Sequence, residues 1–139
     1  MMPRLRRWSG DRRGQALVEF ALVAPILLIL LLGIVDFARA WNVYQVLTDA
    51  GREGARWAVV DNGSTVAEVQ QRIIDAAANA RVPLTAANIT VTEGTLTNED
   101  TTVTIDYTHR LRFMGVIFNV LTGSPNLNFS VVSTMRREF

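Results

Sequence analysis

The sequence has no cysteine and a single histidine, His109. Without cysteine there is no disulfide framework, no zinc ribbon and no thiol nucleophile. One imidazole gives a His-based metal site or a catalytic triad little to work with. The acids Asp49, Glu53, Asp61, Glu68 and Asp75 are scattered, with no convergent base or nucleophile. No phosphate-cradling glycine loop and no G-x-S-x-G elbow is present. No residue is therefore read as catalytic, cofactor-binding or metal-ligating, and no enzyme, cofactor or small-molecule substrate is expected. Lysine is missing too: all 14 cations are Arg, against 13 acids. Five of them, Arg4, Arg6, Arg7, Arg12 and Arg13, stand in residues 1–14 against Asp11. The rest of the chain is mildly acidic, which does not fit nucleic acid, whose binders carry basic charge across the folded domain.

What the sequence does have is a long apolar run. Phe20 to Val35 carries no charge, and extending back to Gln15 meets only Glu19. At about 1.5 Å per residue, the stretch from Gln15 to Asp36 spans roughly 30 Å as a helix, the thickness of a bilayer's hydrocarbon core. A transmembrane helix over 15–36 is expected, behind a basic leader at 1–14. The Arg excess before it places the N-terminus in the cytoplasm and residues 37–139 outside. Two other readings stay open. Ala38-Arg39-Ala40 offers a signal-peptidase pattern that would release a soluble domain starting at Trp41. Alternatively, the span is an uncleaved single-pass anchor of a scaffold protein.

Beyond Asp36 the helical period continues. Phe37, Trp41, Tyr44, Leu47 and Gly51 recur at three- and four-residue steps, and Gly54, Ala55 and Ala58 extend the line. The three rings suit either the membrane interface or a core stripe. The small residues of "DAGREGARWAVV" imply a second element passing close by, and Asp61-Asn62-Gly63-Ser64 is a turn signal. Thr65 with Glu68 forms a capping box for a second helix, whose face is Val66, Val69, Ile73, Ala77 and Ala80 and which ends by Pro83. The period then becomes two, around Ile89–Val91, Val103–Leu111 and Leu127–Met135. Between the first two strands a polar connection runs from Glu93-Gly94 through "TLTNED". Three amphipathic strands without helical crossovers imply an antiparallel sheet. The fold class is thus α+β: a transmembrane helix extended into a long amphipathic helix, a second helix, then a three-stranded sheet. His109 falls on the apolar register and reads as a packed or edge residue. The apolar connector "FMGVIFNVL", 113–121, is expected to be a short helix covering the sheet, with a patch offered to the membrane surface or a partner subunit as the alternative.

Glu19 needs its own account. A charged group well inside a bilayer costs several kcal/mol, so such groups usually have a partner; the milder alternative is that Glu19 snorkels at the headgroup level. The run "RRGQALVEFALVAPILLILLLGIVDFARA", 12–40, resembles the processing site and anchor of type IV pilin-like proteins, with Gly14, Gln15, Glu19 and Phe20 in the characteristic places. "AGREGARWAVV" and the closing "FSVVSTMRREF" add to the likeness. The chain resembles the TadE-like minor pilins (pseudopilins) of the tight-adherence pilus machinery. That resemblance implies cleavage by a prepilin peptidase between Gly14 and Gln15, which makes Glu19 the fifth mature residue. It further implies that Glu19 pairs with the new α-amino group of a neighbouring subunit, whose reference pKa is near 8. The implied partners are the lipid bilayer, the peptidase and other pilin and minor pilin subunits. The implied location is the bacterial inner membrane.

Overall fold

The computed structural model describes residues 12–61, 64–93 and 100–136, with side chains from Gly14 onward. Helix α1, Arg12–Val60, is 49 residues long and unbroken. Its length comes from two apolar patterns in tandem. The first half is greasy on every side, and from Leu17 to Val35 only Ala24 and Gly33 are even partly covered. The second half is one-sided, and it is this half that carries the folded domain. Pro25 lies within α1; it removes one N–H, leaving the carbonyl four residues earlier without its usual helical donor.

The buried line on the outer half of α1 is Ala40, Leu47, Ala50, Gly51, Gly54, Ala55 and Ala58. This shifts the expected stripe, because Phe37, Trp41 and Tyr44 remain 68, 54 and 40 % exposed. They stack as a ladder along the helix instead, with ring centroids 6.3 and 6.1 Å apart, and Tyr44 continues edge-on to Phe129 at 5.8 Å. The core is set by close approach. A Cβ on Gly51 would lie 3.0 Å from Ser133 Oγ and 3.4 Å from Ile105 Cδ1, so the helix rests on the sheet there. One turn on, a Cβ on Gly54 would overlap the Ile73 side chain, so α2 crosses there.

Helix α2, Val66–Asn79, starts from the expected capping box. Thr65 Oγ1 accepts from the Glu68 backbone N–H, and the Thr65 N–H donates to Glu68 Oε2 at 2.7 Å. The Thr65 N–H and the Thr65 hydroxyl, both donating to Glu68 Oε2, hold that carboxyl below its ordinary pKa. Val69, Ile73 and Ala77 are buried against α1, whereas Val66 and Ala80 at the ends of the expected face are exposed. Arg72 lies over the Trp57 ring at 4.4 Å and within 3.6 Å of Glu53. The chain leaves the helix through Arg81, at φ 62°.

After a 3₁₀ turn at Ala86–Asn88 come β1, Ile89–Thr92, and β2, Asp100–Arg110. Helix α3, Gly115–Thr122, precedes β3, Asn126–Arg136. The sheet is antiparallel in the order β1-β2-β3, with Ile89 opposite Ile105 and Ile105 opposite Val131. Val103, Ile105, Val131 and Ser133 point inward while Asp106, Ser130, Val132 and Thr134 face solvent, the alternation the sequence implies. Gln70 Nε2 donates to the Ile89 carbonyl at 2.9 Å, tying α2 to the edge strand. The basic leader up to Asp11, the turn residues Asn62-Gly63, residues 94–99 of the polar connection and the last three residues lie outside the described residues.

The candidate membrane anchor and its outer collar

Gly14 and Gln15 are helical and exposed, two and three residues into the described part of α1, with open space around a Cβ built on Gly14. The Gly14–Gln15 bond is therefore helical rather than extended. Glu19 and Phe20 are exposed on the apolar rod, and Glu19 forms no ion pair with any described residue. The structure thus leaves Glu19 facing the surroundings of α1, with its carboxylate unanswered by the described residues of its own chain.

The far end of the apolar stretch is built differently. Asp36 is only 3 % exposed. Its carboxylate accepts the backbone N–H groups of Phe113 and Met114, each at 2.7 Å, and of Arg112 at 3.4 Å. Arg39 approaches it at 3.9 Å and lies 5.3 Å over the Phe113 ring. Asp36 therefore anchors the turn leading into α3, taking the N–H of its N-cap Met114 at the helix end where the dipole favours an anion. The Met114 side chain lies 3.7 Å from the position of a Cβ on Gly33, closing a shallow apolar groove with Ile29, Leu30, Ile34 and Phe37.

This corrects the expected role of the 113–121 connector. It does form a helix, but within α3 only Gly115 is buried, and little of α3 touches the sheet. It hangs from the end of the β2–β3 hairpin, closed by the Leu111 N–H on the Pro125 carbonyl at 3.2 Å. Sequence reasoning missed Asp36. The available signal was an acid closing a long uncharged run with Arg39 three residues on, but its partners are 76 to 78 residues away.

His109 is a half-buried edge residue whose ring centroid lies 6.3 Å from that of Phe129, as its register implies. Burial holds its pKa below the ordinary value; Arg112 and Arg39 act the same way and Asp36 opposes them. Among the described residues no cluster of His, Cys, Asp or Glu could hold a metal ion.

Among the described residues one helix, near the N-terminus, is long and apolar enough to cross a membrane, and its C-terminal half carries a small α+β domain, which fits a single-pass membrane protein. The family model described as TadE-like protein matches residues 14–56, from the glycine at the foot of α1 through the span to the buried glycines. No curated protein and no solved structure matches the chain. TadE-like pilins are a structural family, and the match together with the apolar helix fits a membrane protein associated with the tight-adherence pilus.

Proposed function

We propose that this chain is a TadE-like minor pilin precursor that takes part in assembling a tight-adherence pilus. In this reading residues 1–14 are a cytoplasmic leader, 15–36 span the inner membrane and 37–139 lie outside. A prepilin peptidase cuts between Gly14 and Gln15. The observation that carries the reading is the family match starting at Gly14, the residue after which the cut is placed. Two further features support it. The proposed bond lies on the exposed surface of α1, with open space around Gly14. Glu19, one helical turn beyond Gln15, faces outward without a counter-charge among the described residues, so a neighbouring subunit's α-amino group can reach it.

Release after Ala40 is less well supported, because Ala40 is 4 % exposed and sits inside α1, so the peptidase would have to unwind a packed helix. Intact mass of the product from its native host separates the readings: a start at Gln15 is expected, a start at Trp41 means secretion, and an uncut chain means a plain anchor. Glu19→Ala removes a charge that is unfavourable within a bilayer. Insertion should therefore be unchanged or improved while pilus assembly falls; normal piliation in that variant would overturn the pairing role.

A further inference from the structure

Phe113, Val116, Ile117, Val120 and Leu121 recur at three- and four-residue steps and form one continuous apolar stripe. All are exposed, with Val116, Val120 and Leu121 at 77, 81 and 76 %. The level of this stripe along α1 can be read from contacts. The sheet runs alongside α1, with Phe129 beside Tyr44 and Ser133 beside Gly51, so the ends of β2 and β3 at Arg110 and Asn126 point back toward the span. The 111–125 excursion continues in that direction, is fastened to Asp36, and brings Met114 down to Gly33, inside the apolar stretch. Its charge is one-sided as well. From Tyr107 to Pro125 there is no acid, while Arg110 and Arg112 are exposed and form no ion pair among the described residues, and Arg39 stands beside Phe113.

We infer that α3 is a second membrane contact, lying in the outer leaflet of the bilayer that α1 crosses. Its apolar stripe enters the acyl boundary, and Arg39, Arg110 and Arg112 meet anionic phospholipid headgroups. The occupant follows from continuity: the stripe begins where the lipid-facing surface of α1 ends, and a basic collar rims it. Two contacts, one through the bilayer and one along it, fix the domain's tilt and rotation on the membrane, which a lone rod would leave free.

This rests on α1 spanning the bilayer, and the test keeps the two apart. Because the chain has no cysteine, single Cys replacements at Leu27, Val120, Leu121 and Thr134 can each carry a polarity-sensitive fluorophore. The full chain is reconstituted in phosphatidylethanolamine–phosphatidylglycerol vesicles containing spin-labelled lipids. Leu27 should be quenched by a label deep in the chains. Val120 and Leu121 should be blue-shifted and quenched several-fold more than Thr134 by a label near the headgroup. If Leu27 is quenched while Val120 and Leu121 behave like Thr134, the contact does not exist, though the anchor stands. If they are blue-shifted yet unquenched, another subunit rather than lipid covers the stripe, and the inference is overturned. If Leu27 itself is unquenched, the span falls and the inference with it.

Discussion

Asp36→Asn replaces two acceptor oxygens with one and turns an NH₂ group toward the part-buried backbone N–H groups that donate to Asp36. The two 2.7 Å bonds to Phe113 and Met114 share one oxygen, Oδ2, while the 3.4 Å bond from Arg112 goes to the other. If the amide keeps its oxygen toward Phe113 and Met114, both short bonds survive but lose their charge, and the Arg112 N–H faces a donor. If it flips, the two short bonds are lost. Hydrogen bonds to charged groups contribute about 1.5–3 kcal/mol, and a stranded buried donor costs about 1–3 kcal/mol. The cheaper arrangement therefore still costs about 2–3 kcal/mol, and Asp36→Ala, which strands all the donors, costs more. At roughly 4 °C per kcal/mol for a domain of about a hundred residues, Asp36→Asn should melt about 10 °C lower. Amide exchange in lipid nanodiscs locates the damage. Exchange at Arg112, Phe113 and Met114 should accelerate by at least ten-fold, with the β2–β3 pairs around Val103 and Ser133 changing far less. A melting point within 2 °C of the unmodified chain, with protection at Phe113 and Met114 intact, would refute the claim that Asp36 holds the collar together.

Gly54→Ala forces a Cβ into the fully buried Ile73 side chain and should cost about 1–3 kcal/mol, read by thermal or denaturant unfolding; Gly14→Ala, with nothing near it, should leave stability unchanged, and equal effects from the two would count against the α1–α2 packing. Stability should also fall on acidification in two stages. The unfolded chain protonates His109 at its ordinary pKa of about 6.5 and the folded chain only below that, so stability present at pH 7 declines as pH drops from there through the lowered folded value. Glu68 is likewise depressed, so its capping contribution is complete above its unfolded pKa and disappears at lower pH, through its folded value. His109→Phe should flatten the first stage and Glu68→Gln the second, in melts from pH 8 to 3; an unaltered profile in both would contradict these assignments.

Local rules made much of the fold readable. The capping box announced α2 because Thr65 and Glu68 satisfy each other within one turn. Strand alternation announced the sheet because Val103, Ile105 and Val131 each face the core. The small residues Gly51 and Gly54 announced crossing elements because nothing larger fits beneath Ile105 and Ile73. What failed was long-range or solvent-dependent. The rings at Phe37, Trp41 and Tyr44 share the helical period of both an interface belt and a core stripe, and period alone could not choose; Leu47 of that line is buried as expected, but beside it Ala40 and Ala50, not the rings, are buried. The connector 113–121 looked like a lid because apolar residues in a globular domain go inward, but beside a span the outside is apolar too. Asp36 looked like no more than the polar end of the span, since neither its burial nor its donors at 112–114 leave any trace near it in the chain.

Because α1 passes from Arg12 to Val60 without a break, it works like a keyed shaft: the direction in which Glu19 looks and the direction in which the sheet hangs are locked together by residue count. One residue added between Phe20 and Val35 would swing the sheet about 100° around that shaft and raise it about 1.5 Å, so the spacing between acid and domain is a compass bearing as much as a length.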